Sequence, residues 1–189
     1  LLGRLGNDLD FTTPARPEVV KEILDEWAET VWDTGIDFGT VSAAYKGQQI
    51  EITTFRSDSY DGQSRNPEVV YGDTLEGDLV RRDFKANAMA IELLADASFK
   101  FHDPLHGLQD IADRVLDTPD KPEISFHDDP LRMLRAARFA SQLEFRVADR
   151  VVEAMRDMAG EIQRITVERV QVELDKPVSY THLTLPTTP

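Results

Sequence analysis

The feature that most constrains the fold is a change of pattern along the chain. Up to about residue 120, short β-rich runs alternate with amphipathic helical stretches, whereas from Asp129 onward apolar residues recur only at helical spacing. Mixed elements followed by helices alone indicate two domains. The sequence therefore predicts an α/β half of about 120 residues followed by an all-helical half.

The predicted elements of the first domain begin with a strand at residues 8–13. A helix is expected from Pro17 to about Trp32, because proline and an acidic residue, Glu18, suit a first helical turn. Two β-rich runs on either side of Lys46-Gly47 predict a hairpin of residues 38–45 and 49–55. The other expected elements are a loop at residues 56–74, a helix at 75–90, a strand at 91–94, a turn at 102–107 and a helix at 108–113.

The second domain is expected to contain three helices, at residues 130–143, 148–158 and 166–176. Residues 177–189 carry no Asp, Glu, Lys or Arg in a chain that is 30% charged. They resemble a translated sequencing adapter, so we exclude them from the fold; a natural Thr/Pro-rich linker is the alternative. Since residue 1 is Leu in the middle of a motif, we expect the first domain to be truncated at its N terminus.

Composition excludes several classes of function. The formal net charge of −14 argues against a general nucleic-acid surface, although a local arginine stripe can still bind phosphate. The absence of cysteine excludes disulfides, cysteine zinc sites and a thiol nucleophile. No apolar run approaches about 18 residues and no signal peptide is visible, so we expect a cytoplasmic protein without a membrane partner. The sequence leaves the oligomeric state open.

Asp8 and Asp10 are candidate metal ligands. Strand alternation places both on one face, where two like charges are favourable only if a cation lies between them. Carboxylate oxygens suit Mg²⁺, which phosphoryl-transfer sites use to activate the attacking oxygen and to neutralise the leaving one. Glu51, on the second hairpin strand, is a possible further ligand. A solvated strand end is the alternative for the aspartates, and an outward-facing strand residue is the alternative for Glu51.

Two further groups of charged residues are candidates for nucleotide binding. Arg82 and Asp83 lie near a predicted helix start, where arginine can bind phosphate oxygens and aspartate can accept from a ribose hydroxyl. A charged surface turn is the alternative for this pair. The second group is an arginine stripe in which a basic side chain recurs every third residue of one helix, at Arg132, Arg135 and Arg138.

The stripe follows a helix start in which Asp128 is the expected cap and Asp129 and Pro130 occupy the first turn. Like charges at this spacing repel, by a few tenths of a kcal/mol per exposed pair. A helix that tolerates this repulsion is expected to meet anions on that face. A solvated basic face is the alternative.

These segments resemble, together and in order, the class II nucleotidyltransferases that build the CCA end of tRNA and their bacterial poly(A) polymerase relatives. The resemblance covers residues 1–176. Its segments are residues 1–4 with 8–13, residues 81–84 with Asn87 and Ala88, Asp103-Pro104 with Gly107, residues 128–132, and Glu168-Arg169 with Glu173, Leu174 and Lys176. It implies an α+β, nucleotidyltransferase-type head with a small mixed sheet and flanking helices over residues 1–122, followed by an all-α neck over residues 123–176.

The resemblance also implies a reaction: attack of a tRNA 3′ hydroxyl on the α-phosphate of CTP or ATP, with release of pyrophosphate. Asp8 and Asp10 would bind Mg²⁺, and Asp83 would lie near the ribose. Asp129 and Arg132 would read the base. The other implied nucleotide contacts are Arg82, Arg135 and Arg138.

The chain departs from the family pattern at two of these positions. Lys85 stands where Thr is usual and adds a charge near the implied nucleotide site, whereas Asp128 stands where Glu is common and is a conservative change. Three alternatives to CCA addition remain: poly(A) synthesis, addition of only CC or only A, and a non-catalytic module that binds nucleotide or RNA.

Overall fold

The computed structural model describes residues 8–56 and 71–178 and has two compact units, Leu1–Asp78 and Leu79–Pro189. The elements of the first unit are β1 (Asp8–Thr13), α1 (Pro17–Asp25), β2 (Thr30–Trp32), a 3₁₀ helix (Ile36–Phe38), β3 (Thr40–Tyr45) and β4 (Gln48–Thr54). Its strands form a four-stranded sheet in the order β1-β4-β3-β2, in which β1 runs parallel to β4 and the other neighbours are antiparallel.

The sheet of the first unit presents one apolar and one polar face. Val20 and Leu24 of α1 pack against Val41 and Ala43 of β3, and these four residues are buried. The β3–β4 hairpin confirms the prediction: Lys46 and Gly47 both have positive φ, at 50° and 76°, as a tight two-residue turn requires. The opposite face of β4 carries polar residues and belongs to the candidate site.

The second unit contains two small two-stranded sheets among helices, and α2 (Leu75–Val80) overlaps the division between the units. β5 (Ala90–Leu93) pairs antiparallel with β6 (Phe99–His102), and β7 (Val115–Leu116) pairs parallel with β8 (Arg146–Val147). The helices are α3 (Gly107–Ala112), α4 (Pro122–Asp128), α5 (Leu131–Leu143), α6 (Asp149–Asp157) and α7 (Val167–Val178), with 3₁₀ helices Lys85–Asn87 and Ala159–Arg164.

Two buried clusters hold the second unit together. Phe126, Met133, Val151 and Ala154 join α4, α5 and α6. Phe84, Leu116 and Ala136 form the other cluster, and the ring of Phe139 meets that of Phe84 edge to face at 5.9 Å. Together with the sheet of the first unit, this arrangement confirms the predicted mixture of helices and small sheets.

Several sequence predictions were wrong in detail. The helix from Pro17 ends at Asp25, because residues 30–32 instead pair with β3 as an edge strand. The helix predicted over residues 75–90 ends at Val80 and gives way to a 3₁₀ turn and a strand. The short elements β6, β7, α4 and β8 were not predicted, and β8 interrupts the stretch expected to be wholly helical.

Three further expectations concern the domain boundary, the C-terminal segment and membrane-spanning helices. The division between the compact units falls at Asp78, and a separate neck domain beginning near residue 123 stays a prediction. α7 continues to Val178, and residues 179–189 of the suspected adapter lie outside the described residues. Within residues 8–56 and 71–178, no helix has the length and apolarity needed to cross a membrane.

Candidate nucleotide site

A carboxylate pair lies on the polar face of the first unit's sheet. Asp10 of β1 is directly paired in register with Glu51 of β4, so both side chains lie on one face. Asp10 is exposed, and Glu51 Oε1 accepts a hydrogen bond from Gln49 Nε2 at 3.2 Å. Asp8 is placed by its backbone alone, at the register position of Gln49. Glu51, which the sequence left open, therefore lies beside Asp10.

The donor chemistry of this face fits a hard divalent cation. Carboxylate oxygens are the ligands that Mg²⁺ prefers, and Mg²⁺ binds through one or two of them while keeping positions for phosphate and water. Among the described residues, no group of three or more Asp, Glu or His side chains could hold a metal ion. Asp10 and Glu51 offer ligands of this chemistry on one face of the sheet.

In the second unit, Arg135 of the arginine stripe binds Asp83. Asp83 is buried, and its Oδ2 accepts from Arg135 Nε at 2.8 Å and from Nη2 at 2.5 Å. Its Oδ1 accepts from the backbone N–H of Phe84 at 2.9 Å and from Asn87 Nδ2 at 3.1 Å. The structure thus brings together two predicted site residues that lie 52 positions apart.

Glu173 of α7 is the anion that meets Arg138 of the stripe, and it also lies near Arg135. It is 2% exposed; its Oε1 accepts from Arg138 Nε at 2.5 Å, and its Oε2 lies 3.8 Å from Arg135 Nη1 and 3.3 Å from Lys176 Nζ. Burial acts to raise the pKa of Glu173, but Arg138, Arg135 and Lys176 outweigh it and hold the pKa below its ordinary value. The sequence placed Glu173 in a motif without a role, because its burial depends on the packing of α7 on α5.

Asp129 and Arg132 each bind other segments of the unit. Arg132 Nη1 donates to Ser125 Oγ at 2.8 Å and Nη2 donates to the backbone oxygen of Arg81 at 2.7 Å. Asp129 Oδ1 accepts from the backbone N–H of Leu131 at 3.2 Å and Oδ2 accepts from Arg169 Nη2 at 3.0 Å. The side chain of Asp129 therefore accepts a hydrogen bond from the first residue of α5.

An open groove of about 280 Å³ runs between α5 and α7. Leu131 and Val172 give it an apolar floor, and its charged lining consists of Arg135, Glu168, Arg169, Glu173 and Lys176. A floor of this kind can accept the face of a planar base, and cations at its edge can meet phosphate. Arg82, by contrast, is exposed just after α2 and is not part of this lining.

The charge of Lys85, the main departure from the family pattern, is paired. Lys85 Nζ donates to Asp117 Oδ2 at 2.7 Å, and Arg150 Nε donates to Asp117 Oδ1 at 2.8 Å. Burial acts to raise the pKa of Asp117, but the hydrogen bonds from Arg150 and Lys85 outweigh it and the pKa is lowered. No local pattern in the sequence signals this pair, because its members lie 32 positions apart.

The connecting motif packs directly on the segment that carries Asp83. Asp103 Oδ1 accepts from the backbone N–H of Gly107 at 2.6 Å and Oδ2 accepts from that of Leu108 at 2.9 Å, which fixes the start of α3. A Cβ at position 107 would overlap the backbone oxygen of Lys85. Only glycine fits there, so this motif has a structural explanation.

Comparison with known proteins gives consistent matches over most of the chain. A family model described as the Poly A polymerase head domain matches residues 1–117, and one described as the Probable RNA and SrmB- binding site of polymerase A matches residues 144–184. The CCA-adding enzyme of Lactobacillus helveticus (strain DPC 4571) is 40% identical over 177 residues, which are 93% of this chain and 42% of that enzyme.

Solved structures agree with these matches. The Bacillus stearothermophilus CCA-adding enzyme in complex with CTP has a TM-score of 0.82 at 35% identity, over 95% of this chain and 41% of that one. A tRNA nucleotidyltransferase complexed with a primer tRNA and an incoming ATP analog has a TM-score of 0.75 at 28% identity, over 92% and 48%. The chain spans less than half the length of these relatives. Because the head-domain model matches well over half of its residues, the chain belongs to the poly A polymerase head domain family.

Proposed function

We propose that the chain is part of a CCA-adding enzyme, which adds CMP and AMP to the 3′ end of tRNA from CTP and ATP and releases pyrophosphate. The observation that carries this proposal is the match of 93% of the chain, at 40% identity, to an enzyme named for that activity. The solved relatives with CTP, or with a primer tRNA and an ATP analog, support the same substrates. The protein would act in the cytoplasm.

In this proposal, Asp8 and Asp10 hold Mg²⁺, and Glu51 lies beside them. Bound Mg²⁺ would supply charge neutralisation at the reacting phosphate and would lower the pKa of the attacking hydroxyl. The chain's own contribution is a rigid strand pair that presents carboxylates on one face. The register of Asp10 with Glu51 and the exposure of Asp10 support this role.

The second unit would bind the nucleotide. Arg82, Arg135 and Arg138 would contact phosphate oxygens. Asp83, whose carboxylate already accepts four hydrogen bonds, would exchange one of them for the ribose hydroxyl. A guanidinium carries five N–H donors, so the bonds from Arg135 to Asp83 and from Arg138 to Glu173 orient these groups without exhausting their donors. Positioning of this kind lowers the entropic cost of binding a phosphate.

Asp129 and Arg132 would read the base. A carboxylate only accepts hydrogen bonds and a guanidinium only donates them. Cytosine and adenine both present an amino donor beside a ring-nitrogen acceptor, whereas uracil and guanine present a carbonyl beside an N–H. One pair of side chains can therefore admit C and A and exclude U and G without a nucleic-acid template.

The test uses an extended enzyme, meaning this chain completed with the regions that its curated relatives carry beyond the match. It is incubated with Mg²⁺, all four nucleoside triphosphates and tRNA lacking its CCA end, and the products are sequenced. We expect CCA ends from the parent, none from Asp10→Ala, and parental products from Asp37→Ala, which changes an exposed aspartate of the same unit. Tails of adenosine alone would indicate a poly(A) polymerase, and no incorporation by the parent would indicate a non-catalytic module.

A further inference from the structure

Lys85 belongs to a charge cluster with Asp117 and Arg150 that no nucleotide role explains, and Asp110 lies close enough to feel all three charges. The ammonium group of Lys85 binds one oxygen of Asp117, and Arg150 binds the other. The side chains of Lys85 and Asp117 are 23% and 13% exposed, so the pair is largely shielded from water. Shielding strengthens the attraction between the two charges but adds a desolvation cost, so such a pair depends more on its geometry than a pair on the open surface.

Arg150 ties this cluster to the connection before α4. Its Nη2 donates to the backbone oxygen of Thr118 at 2.7 Å and its Nη1 donates to that of Asp120 at 3.1 Å, in addition to its bond to Asp117. Asp117 Oδ1 also accepts from the backbone N–H of Thr118 at 3.0 Å. Asp117 is thereby fixed from two sides and provides a rigid anchor for Lys85.

The backbone around Lys85 is held by the same anchor and by α3. The N–H of Lys85 donates to the backbone oxygen of Asp117 at 2.9 Å. The backbone oxygen of Lys85 faces Gly107 with no room for a Cβ, and the neighbouring Phe84 is fully buried. Lys85 therefore joins the 3₁₀ turn to residue 117 through both its backbone and its side chain.

This turn is the segment that orients Asp83. Asp83 lies two residues before Lys85. Its carboxylate accepts from the backbone N–H of Phe84 and from Asn87 Nδ2, and these two residues flank Lys85 in the sequence. A shift of the turn would therefore move the carboxylate of Asp83 relative to Arg135. Displacements of about 1 Å far from the reacting atoms can cost on the order of 100-fold in rate.

We propose that Lys85 is a positioning residue: through Asp117 and Arg150 it fixes residues 83–87, and it thereby sets how strongly the enzyme prefers ribonucleotides to deoxyribonucleotides. The inference rests on the proposed function, in which Asp83 accepts from the ribose. The ion pair of Lys85 and Asp117 would then affect specificity as well as stability. The reason is that it orients the carboxylate of Asp83, which would distinguish a ribose 2′-hydroxyl from the hydrogen of a deoxyribose.

The test measures kcat/KM for ATP and for dATP with the extended enzyme and an RNA primer that ends in CC. For Lys85→Met, which keeps the length of the side chain but not its charge, we expect the ATP-to-dATP ratio to fall about tenfold. Lys85→Arg retains a cation that can reach Asp117, and it should keep the ratio within about twofold of the parent. Lys85→Thr is the second variant if Lys85→Met does not fold.

Two comparisons separate positioning from general destabilisation. Lys100→Met changes an exposed lysine of β6 and should leave the ratio unchanged. Asp117→Asn should lower the ratio as Lys85→Met does, and combining the two changes should add little, since residues in one network are not additive. A parental ratio in Lys85→Met together with a lowered Tm would overturn the inference, because the ion pair would then contribute stability alone.

Amide hydrogen exchange tests the tether without activity. Loss of the Lys85 charge should speed exchange at the amides of residues 85 and 88, which donate to Asp117 and to residue 85, and Lys100→Met should not. Unchanged exchange would overturn the inference even if the parent adds CCA ends. Failure of the parent to incorporate any nucleotide would instead overturn the proposed function, and the exchange result would still decide whether Lys85 fixes this turn.

Discussion

Glu173 is a buried carboxylate whose charge is balanced by arginines of another helix. Removing one member of such a group leaves an uncompensated buried charge, which costs roughly 3 kcal/mol or more. We therefore expect Glu173→Gln to lower the free energy of unfolding at neutral pH by about 3 kcal/mol. Urea unfolding of the chain measures the change, and Glu168→Gln, an exposed glutamate of the same helix, is the matched control.

The effect of Glu173 should depend on pH in a defined direction. Its pKa in the folded chain is lower than its ordinary value of 4.5. A lowered pKa means that the carboxylate contributes stability above pH 4.5, and this contribution is lost as pH falls from there through the folded pKa. The stability difference between parent and Glu173→Gln should therefore shrink below pH 4.5. A difference that stays constant down to acid unfolding would contradict the assignment.

Asp129 provides the residue-scale test of base choice. Sites built to hydrogen-bond a substrate can discriminate by about 10⁴ or more, because a mismatch leaves buried polar groups unpaired. In the extended enzyme, we expect Asp129→Ala to lose selectivity for CTP and ATP over UTP and GTP, measured as ratios of kcat/KM. The control is Glu123→Ala, which removes an exposed acidic side chain of α4. Equal rejection of UTP and GTP by mutant and parent would show that Asp129 does not read the base.

At this scale, the sequence identified which residue types carry charge but not their partners. The spacing of Arg132, Arg135 and Arg138 predicted that the stripe would meet anions. Two of those anions are Asp83 and Glu173 of the same chain, 52 and 35 positions away. Long-range pairing of this kind depends on how helices pack, which local periodicity does not encode.

At the scale of elements, α3 and the 3₁₀ helix Lys85–Asn87 approach each other as closely as their backbones allow. A Cβ at Gly107 would overlap the backbone oxygen of Lys85, so one of the two segments must shift. We expect Gly107→Ala to destabilise the chain by about 2 kcal/mol or more, a typical cost of overpacking. Gly160→Ala is the control, because a Cβ at that position would meet nothing within 4 Å. Equal Tm values for the two variants would contradict the close approach.

Elements were predictable where local signals and long-range pairing agree. β1 and the β3–β4 hairpin follow from alternation and from the Lys46-Gly47 turn, and α5 and α6 follow from helical periodicity. The end of α1 was missed, because residues 30–32 have a helix-compatible apolar spacing but gain backbone partners in β3. Strands as short as β7 and β8 contain only two residues each, too few for any periodic signal.

At the scale of the whole molecule, the negative net charge does not favour general binding of RNA. The chain carries a formal net charge of −14, and the arginines of the stripe already have protein partners. Any binding of RNA by the isolated chain would therefore depend on a few local cations rather than on the overall charge. The relatives are more than twice as long as the matched part.

This charge distribution predicts that the isolated chain binds tRNA weakly. Each phosphate that a protein neutralises releases counterions, so strong binding through many cations weakens steeply as salt rises. With only a few local contacts, we expect a Kd on the order of 10⁻⁴ M or weaker near physiological salt, and a shallow dependence between roughly 50 and 200 mM salt. Fluorescence anisotropy with labelled tRNA lacking its CCA end measures both quantities, with the extended enzyme as the comparison. A Kd of about 1 µM or lower for the isolated chain, with a steep salt dependence, would show that its local basic surface suffices despite the net charge.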